Sequence, residues 1–498
     1  MSNYREMTAE KLAGWKKTIL AYQCLIKPCM ILFAVYTIGI SAIIRADFNY
    51  RDDLRRVLTG KKNWGGSYGR YLSDFFSTFL HIDDYLMDNS PLSQLIAVLL
   101  VAVAAGIIWY VFSEKTNFSF WHLAALVPLG LCPYFLACIS YKYDAPYMAL
   151  SVLVSVVPLL FREKRYVWYT AAVFLCTVAM CTTYQAASGI FPMFVILVCI
   201  KRWNQEEDLW EILKFAGVSM LGYLIGLILY KLFLMPHRET YVSNAMPRFT
   251  ELIPVALSNL KKYFACVKND FKIEWLIFTF VLCVAFVFVM VRDSKREKRA
   301  AFFMSSFALL LMLLLCFGMY PLLVKPLYHP RAMYGFGAFL TFVGIAVSTA
   351  KKTYPAKVIC LALSWCFFAF SFLYGNALKV QDDYIEFRTM ELMDDCKDLD
   401  CMVSDAKITI QVDGSIGYAP AIKHMPQNYK MLKRLIPLAY KDGNWSLHKF
   451  RYYGWTKKKV RWNRPVKEDF ATYNFPVIKD SMYHTIRGKD NCILIEMK

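Results

Sequence analysis

Two adjacent carboxylates, Asp52 and Asp53, lie in the segment 46–56 between arginines on either side. A positioned carboxylate can remove a proton from a reacting hydroxyl group. The same pair also fits the first turn of a short helix capped by Asn49, where negative charge is favoured by the helix dipole. The residue types leave both interpretations open. Paired acid and base action on one bond is disfavoured, because adjacent side chains on a helix point about 100° apart.

Asp144 begins a later apolar segment, two residues before Pro146. Asp ahead of proline in the first turn is a standard helix start. An ionisable group inside a membrane costs up to roughly 3 kcal/mol, however, and is usually kept for a function. Tyr184 and Gln185, which follow another apolar segment, are suited to hydrogen-bond a sugar, although both types are also common at membrane interfaces.

Lys325, His329 and Arg331 form a cationic cluster in the segment 325–331. Arginine offers a planar fork for phosphate oxygens and lysine a point charge. The cluster is therefore suited to a lipid phosphate at headgroup level. Contact of two snorkelling cations with ordinary phospholipid explains it equally well.

About eleven strongly apolar segments must position these groups. The chain is 57% hydrophobic, 16% aromatic and 19% charged, which is too apolar for an ordinary soluble domain. The pattern predicts an all-α polytopic membrane bundle over residues 1–378. The segments are 20–44, 92–112, 119–139, 146–161, 166–183, 188–201, 211–234, 273–291, 301–320, 332–350 and 358–378.

Basic turns alternate with acidic or aromatic turns along these segments. The turns 113–115, 162–165, 201–208, 292–299 and 351–357 are mostly rich in Lys or Arg, which accumulate on the cytoplasmic side. The sequence therefore predicts a multi-pass protein with a cytoplasmic N-terminus. An odd number of spans places the tail outside the cytoplasm, together with the loops 46–90, 140–145, 182–188, 235–272 and 321–331.

The net charge of +20 is explained by cytoplasmic anchoring and contact with anionic membrane lipid, and nucleic acid is not an expected partner. Most of the fifteen cysteines lie in apolar segments, where a thiol behaves as a small hydrophobe. They show no metal-binding spacing. Cys396, Cys401 and Cys492 lie in the tail, where either one disulfide or free thiols are consistent with their spacing.

The tail, residues 379–498, is predicted to be a small extracytoplasmic α+β domain. Alternating residues predict strands at 406–412 and 492–496, and helices are expected at 382–396 and 429–439. Trp455 and Trp462, in the basic aromatic segment 449–464, are candidates for stacking on sugar rings. A solvated hairpin is the simpler interpretation of that segment. Selection of the acceptor by the tail is a hypothesis.

Several short motifs in order resemble one known family. They are Asn49-Tyr-Arg-Asp-Asp53, Gly69-Arg70, Pro133-Tyr-Phe135, Ser140-Tyr-Lys-Tyr-Asp144 with Met148, Tyr184-Gln-Ala186 and Pro330-Arg331. The chain resembles, over nearly its whole length, the bacterial glucosyltransferases that modify O-antigen and convert serotype. The resemblance implies the C-type glycosyltransferase architecture in the bacterial inner membrane. It also implies a polyprenyl-phosphate sugar as donor, a surface polysaccharide as acceptor, and no cofactor or metal.

The same resemblance implies roles for individual residues. Asp52 or Asp53 would take the proton of the acceptor hydroxyl, and Asp144 would orient the sugar or an arginine. Arg331, helped by Lys325 or His329, would neutralise the departing phosphate. The remaining candidates are Arg70 for the phosphate, and Tyr184, Gln185, Trp64 and Tyr143 for the sugar.

Two other classes of membrane protein would have the same apolar composition. A transporter or flippase of lipid-linked sugars would show internal repeats and charged groups near the membrane midplane, and neither is found in the sequence. A polymerase or ligase of glycan chains would use the same chemistry on another acceptor. The transferred sugar, the linkage, the stereochemical outcome and the oligomeric state stay open.

Overall fold

The computed structural model describes residues 2–113, 117–236, 245–397, 399–403, 406–441, 445–456, 459–463 and 466–498, without the side chains of residues 2–22 and 400. Parts of the predicted turn 113–115 and of the predicted loop 235–272 lie outside the described residues, as do Asp398, Lys457, Lys458 and Arg464 of the tail.

The first four-fifths of the chain is almost entirely helical. Its helices are α1 (Ser2–Ala46), α2 (Asp53–Thr59), α3 (Trp64–Tyr68), α4 (Tyr71–His81), α5 (Leu92–Phe112), α6 (Phe120–Leu131), α7 (Pro133–Ser140), α8 (Ala145–Val156), α9 (Tyr166–Thr183), α10 (Ile190–Asn204), α11 (Leu209–Leu229), α12 (Leu252–Asp270), α13 (Ile273–Arg292), α14 (Lys298–Leu315), α15 (Gly335–Thr349) and α16 (Tyr354–Lys397). Short 3₁₀ turns occupy Val157–Phe161, Gln185–Gly189, Phe249–Glu251, Tyr320–Leu322 and Pro330–Ala332, and a π turn occupies Tyr230–Leu234.

Each of the eleven predicted apolar segments forms helix. Among the described residues, eight helices are long and apolar enough to cross a membrane, and the pair α6 and α7, bent by 52°, would make a ninth. The other two, Ala145–Phe161 and Gly335–Thr349, are short. All but the last residue of α15 are buried, so neighbouring helices rather than lipid cover it. The number of helices that cross the membrane therefore stays a prediction.

The short helices lie in the interior of the bundle together with the long helices α5 and α10, and the other long helices surround them. Helices α6, α7, α8 and α15 carry mostly buried side chains. Helices α11, α13 and α14 expose large apolar side chains on their outer faces, including Ile228, Phe288 and Phe303. Apolar residues on the outside of a helical bundle are typical of contact with lipid.

Helix α4 in the first loop buries its polar side chains and exposes its apolar ones, which is the opposite of a surface helix in a soluble protein. Its buried face carries Ser73, Ser77 and His81, whereas Phe75 and Phe79 are exposed. A helix that presents aromatic side chains outward and polar groups inward fits the boundary between headgroups and acyl chains. The loop 46–90 thus forms a folded cap made of α2, α3 and α4.

The tail is a mixed α/β unit on the end of helix α16. Its short helices are α17 (Asp400–Val403), α18 (Met425–Asn428), α19 (Leu432–Leu435) and α20 (Leu447–Tyr452). The strands β1 (Ile408–Asp413), β2 (Val460–Trp462), β3 (Val477–Asp480), β4 (His484–Lys489) and β5 (Cys492–Met497) form one sheet in the order β2-β1-β5-β4-β3. Strand β1 is parallel to β2 and β5, and the other pairs are antiparallel.

Predictions for the tail were partly right. The strands at 406–412 and 492–496 are confirmed as β1 and β5, and the helix at 382–396 is the end of α16, which runs unbroken past residue 378. The helix at 429–439 is wrong in extent, because only Leu432–Leu435 is α-helical. Pro437 explains this, since the residue before a proline is disfavoured in helical conformation.

In its described residues, 449–456 and 459–463, the basic aromatic segment forms neither a hairpin nor an exposed platform for sugars. Trp455 and Trp462 are half-buried, with ring centroids 4.9 Å and 5.1 Å from the ring of Phe450. Buried Lys449 pairs with Asp382 of α16 at 2.8 Å. The segment therefore packs against the acidic side of α16. Among the described residues, no disulfide joins Cys396, Cys401 or Cys492.

Helices α1 and α16 approach each other closely at Gly375. A Cβ atom added there would lie 2.4 Å from the backbone carbon of Ala42 and 2.5 Å from the backbone nitrogen of Ile43, and neither atom can swing aside. We expect Gly375→Ala to force the helices apart and to lower the free energy of unfolding by about 1–3 kcal/mol. The thermal unfolding midpoint of the purified protein in detergent measures this loss.

Gly217→Ala is the matched control, because nothing lies within 4 Å of a Cβ atom added at this exposed helical position. It should raise stability by roughly 0.5–1 kcal/mol, since alanine is the better helix former. An unchanged midpoint in Gly375→Ala would contradict the close packing of α1 and α16.

Candidate active site

A cavity of about 310 Å³ lies between the first loop, helix α11 and the loop before α15. Its volume lies near the lower end of the range of small-molecule sites, roughly 300–1,000 Å³. The polar part of its wall is formed by Asp52, Arg56, Trp64, Ser67, Tyr68, Arg70, Asp144, Gln185, Ser188, Tyr230, Lys231, Tyr320 and Arg331. The apolar part is formed by Cys181, Leu224, Leu227, Ile228, Met235, Met246, Met319, Leu323 and Leu327.

Asp52 occupies the N-cap position of α2, but its side chain makes no capping hydrogen bond. The carboxylate is 60% exposed, lines the cavity and lies 3.7 Å from Nη1 of Arg331. Asn49 does not cap the helix, because it lies three residues ahead of the N-cap and accepts a hydrogen bond from Nζ of Lys142 at 3.5 Å. Asn49 is therefore not the cap of α2, whereas the predicted short helix with Asp53 in its first turn is confirmed.

Asp53 is the opposite of its neighbour, since it is fully buried and is not part of the cavity wall. Its Oδ2 accepts the backbone N–H of Lys142 at 3.0 Å, and its Oδ1 lies 3.7 Å from Nη1 of Arg56. Burial raises the pKa of Asp53 well above its ordinary value, and nearby Asp144 adds to the increase against the opposing effect of Arg56. Asp53 thus connects the first loop to the Lys142 turn.

Asp144 is held by two groups of the first loop. Nη1 and Nη2 of Arg56 both donate to its carboxylate, and Trp64 Nε1–H donates to Oδ1 at 2.6 Å. The guanidinium also lies over the Trp64 ring, 4.6 Å from its centroid. Burial alone would raise the pKa of Asp144, but Arg56, with Arg331 and Arg70, outweighs burial and holds the pKa below its ordinary value. Asp144 is therefore a buried carboxylate kept ionised.

Arg56 is a site residue that the sequence analysis missed. It follows Asp53 by three residues on α2, so both side chains lie on one helix face, and this spacing was the available signal. Its partner Asp144 is 88 positions further along the chain, however, and only the fold brings the two together.

Lys142 also fixes the first loop to the bundle, and Asp74 fixes two helices of that loop, α3 and α4, to each other. Buried Lys142 pairs through Nζ with Asp47 and, at 3.4 Å, with Asp88. The Asp74 carboxylate accepts the backbone N–H groups of Trp64 and Gly65 at 3.2 Å and 2.8 Å. A carboxylate at a helix N-terminus satisfies free backbone donors, and here it holds α3 and its Trp64 in place.

Arg70 reaches the cavity from a layer of aromatic and amide groups. Its guanidinium lies 4.3 Å from the Tyr184 ring centroid, and its Nε donates to Gln185 Oε1 at 3.2 Å. Gln185 in turn donates to Tyr230 Oη at 2.7 Å. Gly69, with φ of +67°, has no room for a Cβ atom, which would lie 2.7 Å from the Tyr230 hydroxyl oxygen. Gln185 lines the cavity, whereas Tyr184 lies behind Arg70 as its support.

Arg331 is the member of the predicted cationic cluster that lines the cavity. It lies in the 3₁₀ turn Pro330–Ala332, with its guanidinium 4.6 Å from the Tyr141 ring centroid. Lys325 and His329 are exposed and are not among the lining residues. Tyr143 is also outside the cavity, buried beside His81 with 5.8 Å between ring centroids. The structure thus brings together Asp52, Asp144, Arg331, Arg70, Gln185 and Trp64 of the predicted set.

Within the described part of the chain, no three His, Cys, Asp or Glu side chains are grouped so that they could hold a metal ion. Metal independence stays a prediction.

Loss of the ion pair between Asp144 and Arg56 should lower the stability of the folded protein. We expect Asp144→Asn to leave a buried guanidinium without its main partner and to lower the free energy of unfolding at neutral pH by about 3–5 kcal/mol. Because the pKa of Asp144 is lowered in the folded protein, its contribution is present above the ordinary value of 3.8 and disappears as the pH falls through the folded value. Unfolding midpoints of both proteins should therefore converge in acid.

Asp53→Asn is the control for this measurement. Its folded pKa is raised, so ionisation opposes folding as the pH rises above the ordinary value. An uncharged amide that still accepts the Lys142 N–H should leave stability at neutral pH unchanged or higher. Equal stability of Asp144→Asn and the wild type at neutral pH would contradict the assignment.

Comparisons with known proteins place the residues of this cavity within one family match. The model of a family described as glucosyl transferase GtrII matches residues 41–342, which include every residue that lines the cavity. A protein of Salmonella phage P22, described as an uncharacterized 55.3 kDa protein in the 5′ region of gtrB, is 24% identical over 418 residues. That match covers 79% of this chain and 83% of the phage protein. Because the family model covers more than half of the chain, the protein belongs to the GtrII glucosyl transferase family, and the resemblance found in its motifs is confirmed.

Proposed function

We propose that this glycosyltransferase moves a hexose, most simply glucose, from a polyprenyl-phosphate carrier to a surface polysaccharide on the extracytoplasmic face of the bacterial inner membrane. The observation that carries the proposal is the two-part wall of the cavity. Asp52, Arg70 and Arg331 line one part, and the side chains of α11 and the neighbouring loops form an apolar part.

The apolar part of the wall supports a lipid-linked donor. Leu224 and Ile228 line the cavity and are also 47% and 56% exposed on the outer surface of α11. The cavity therefore reaches the surface that would face acyl chains, so a polyprenyl chain would follow α11 while its phosphate lies among the arginines. A water-soluble nucleotide sugar would gain nothing from this apolar wall.

The charged groups support a direct displacement. The oxygen of an acceptor hydroxyl would form a bond to the anomeric carbon as the bond from that carbon to the phosphate oxygen breaks. Asp52 would take the hydroxyl proton, and the phosphate would leave with the bonding electron pair. Arg331 and Arg70 would stabilise the negative charge that develops on this oxygen. Asp144 would act through Arg56 and Trp64, which it holds at the cavity wall.

The choice of Asp52 over Asp53 rests on access. Asp52 lies on the cavity wall, whereas Asp53 is fully buried and bound to the Lys142 backbone. A general base must come within about 2.6–3.2 Å of the proton that it removes, or reach it through one water molecule. Of the two carboxylates, only Asp52 lies on the cavity wall, where a bound acceptor could come that close.

The topology is part of the proposal. The cap formed by the loop 46–90, the turn 140–145 and the loop 321–331 meet at one end of the bundle, and the tail touches the same end through the hydrogen bond from Tyr50 Oη to Leu435 O at 2.6 Å. The basic turns indicate that the opposite end is cytoplasmic. We infer an extracytoplasmic tail and a cytoplasmic N-terminus.

Replacement of the proposed base gives the first test. We expect Asp52→Asn to lower the rate of hexose transfer by about 10²–10⁴-fold, because positioned general bases contribute that much. Asp53→Asn should keep most of the activity, since the amide can still accept the Lys142 N–H. The measurement is transfer of labelled glucose from polyprenyl-phosphate glucose to surface polysaccharide in membrane vesicles that contain each full-length variant.

Linkage analysis of surface polysaccharide from cells with and without the chain separates the competing functions. Loss of one side-branch hexose with an intact backbone supports the transferase, whereas loss of the backbone would indicate a flippase or a polymerase. Full activity of Asp52→Asn, or inactivity of Asp53→Asn alone, would contradict the assignment of the base.

Replacement of Arg331, the proposed phosphate ligand, gives the second test. We expect Arg331→Gln to lower the transfer rate by about 10²–10³-fold, in line with the loss of one oxyanion donor in other enzymes. Lys325→Gln is the matched control, because Lys325 is exposed and outside the cavity wall. Equal losses of transfer rate in the two variants would contradict the assignment of Arg331. They would show that the activity depends on the total positive charge of this loop.

A further inference from the structure

Arg434, in helix α19 of the tail, is half-buried and contacts the end of the bundle. Its Nη1 pairs with Asp270 Oδ2 at the end of α12, and its Nη2 donates to the backbone carbonyl of Tyr328. Asp270 is buried and also accepts a hydrogen bond from Tyr134 Oη at 2.9 Å. One guanidinium therefore joins the tail to α12 and to the loop before α15.

The contacts of Arg434 lie on both sides of Arg331. Tyr328 precedes Arg331 by three residues, and Met333, whose Sδ lies 3.7 Å from Nη2 of Arg434, follows it by two. Tyr328 is also fixed through its hydroxyl, which donates to Asn259 Oδ1 at 2.7 Å. Since Arg331 lies in a single 3₁₀ turn, its backbone position depends on these neighbours.

The residue after Arg434 holds the other side of the cavity. The Leu435 carbonyl accepts the Tyr50 hydroxyl at 2.6 Å, two residues before Asp52. The Tyr50 ring lies 4.7 Å from the ring of Tyr141, and Tyr141 supports the guanidinium of Arg331. The segment Leu432–Leu435 thus contacts both of the loops that carry Asp52 and Arg331, and it lies beyond the residues matched by the family model.

Taken with the function proposed above, these contacts lead us to propose that Arg434 is a positioning residue of the transfer reaction: through Asp270 and the Tyr328 carbonyl it fixes Arg331 against Asp52. The tail is then required for catalysis itself and not only for choice of the acceptor. An arginine is suited to this role because its planar fork serves two acceptors at once, which a lysine cannot do in the same geometry.

The test uses the full-length enzyme in membrane vesicles with polyprenyl-phosphate glucose as donor and polysaccharide from cells that lack the chain as acceptor. We expect Arg434→Met to lower kcat about 10²-fold, the usual effect of misplacing a catalytic group by about 1 Å, with little change in KM for the polysaccharide. Arg434→Lys retains a charge for Asp270, so it should keep the protein folded while losing activity. A raised KM with normal kcat would indicate acceptor binding and would overturn the proposal.

The decisive measurement repeats Arg434→Met in the Arg331→Gln background. If Arg434 acts through Arg331, the second substitution should lower the residual rate by no more than about twofold, because coupled sites are not additive. An equal fold-loss in both backgrounds would assign Arg434 a role in folding alone and overturn the proposal. Arg487→Met, which breaks the part-exposed pair with Glu496 in the sheet, is the control and should keep normal activity.

The two proposals fail in different ways. If the wild-type protein transfers no hexose from polyprenyl-phosphate glucose, the proposed function is wrong whatever the variants do. If the wild type transfers hexose and both Arg434 variants do so at the same rate, only the positioning role is wrong.

Discussion

The buried ion pair between Asp144 and Arg56 joins the first loop to the centre of the bundle, and the shape of the cavity depends on it. The carboxylate lies at the start of α8, and the guanidinium belongs to α2. Trp64 is held in place as well, because its ring stacks on the guanidinium and its Nε1–H donates to the same carboxylate. Removing one partner of such a pair leaves an uncompensated charge on a largely buried side chain, since Arg56 and Asp144 are only 15% and 7% exposed. The pair therefore holds α2 in the orientation that exposes Asp52 to the cavity and buries Asp53.

Two consecutive aspartates thus have different environments for a reason that lies elsewhere in the chain. Asp53 accepts a hydrogen bond from the Lys142 backbone N–H, whereas Asp52 faces the cavity near Arg331. The sequence identified the pair and the family, because motif order and residue type are local properties. It could not separate the two, because the Lys142 turn is 89 positions away from Asp53. The same limit applies to Arg56, whose partner is known only once the chain has folded.

The elements of the fold were more predictable than their contacts. Apolar length located the apolar helices of the bundle, since this signal acts over a few residues, but it missed α12, which lies within the predicted loop 235–272, and the short helices α2 and α3 of the first loop. The tail was harder to predict. Trp455 and Trp462 were candidates for stacking on sugars because the sequence does not show that both rings pack on Phe450. Pro437 was visible in the sequence and would have shortened the predicted helix at 429–439. Lys325 and His329 were expected to help Arg331 at the phosphate, but only Arg331 lines the cavity.

Helix α16 has a consequence for the geometry of the whole molecule. Its 44 residues span about 66 Å at 1.5 Å per residue, roughly twice the hydrocarbon thickness of a bilayer. Such a rod sets the height of the sheet relative to the bundle and also its angular orientation, since each added residue would turn the sheet by about 100°. Changes in helix length between related chains would therefore alter both reach and rotation, and insertions of whole turns should be far better tolerated than single residues.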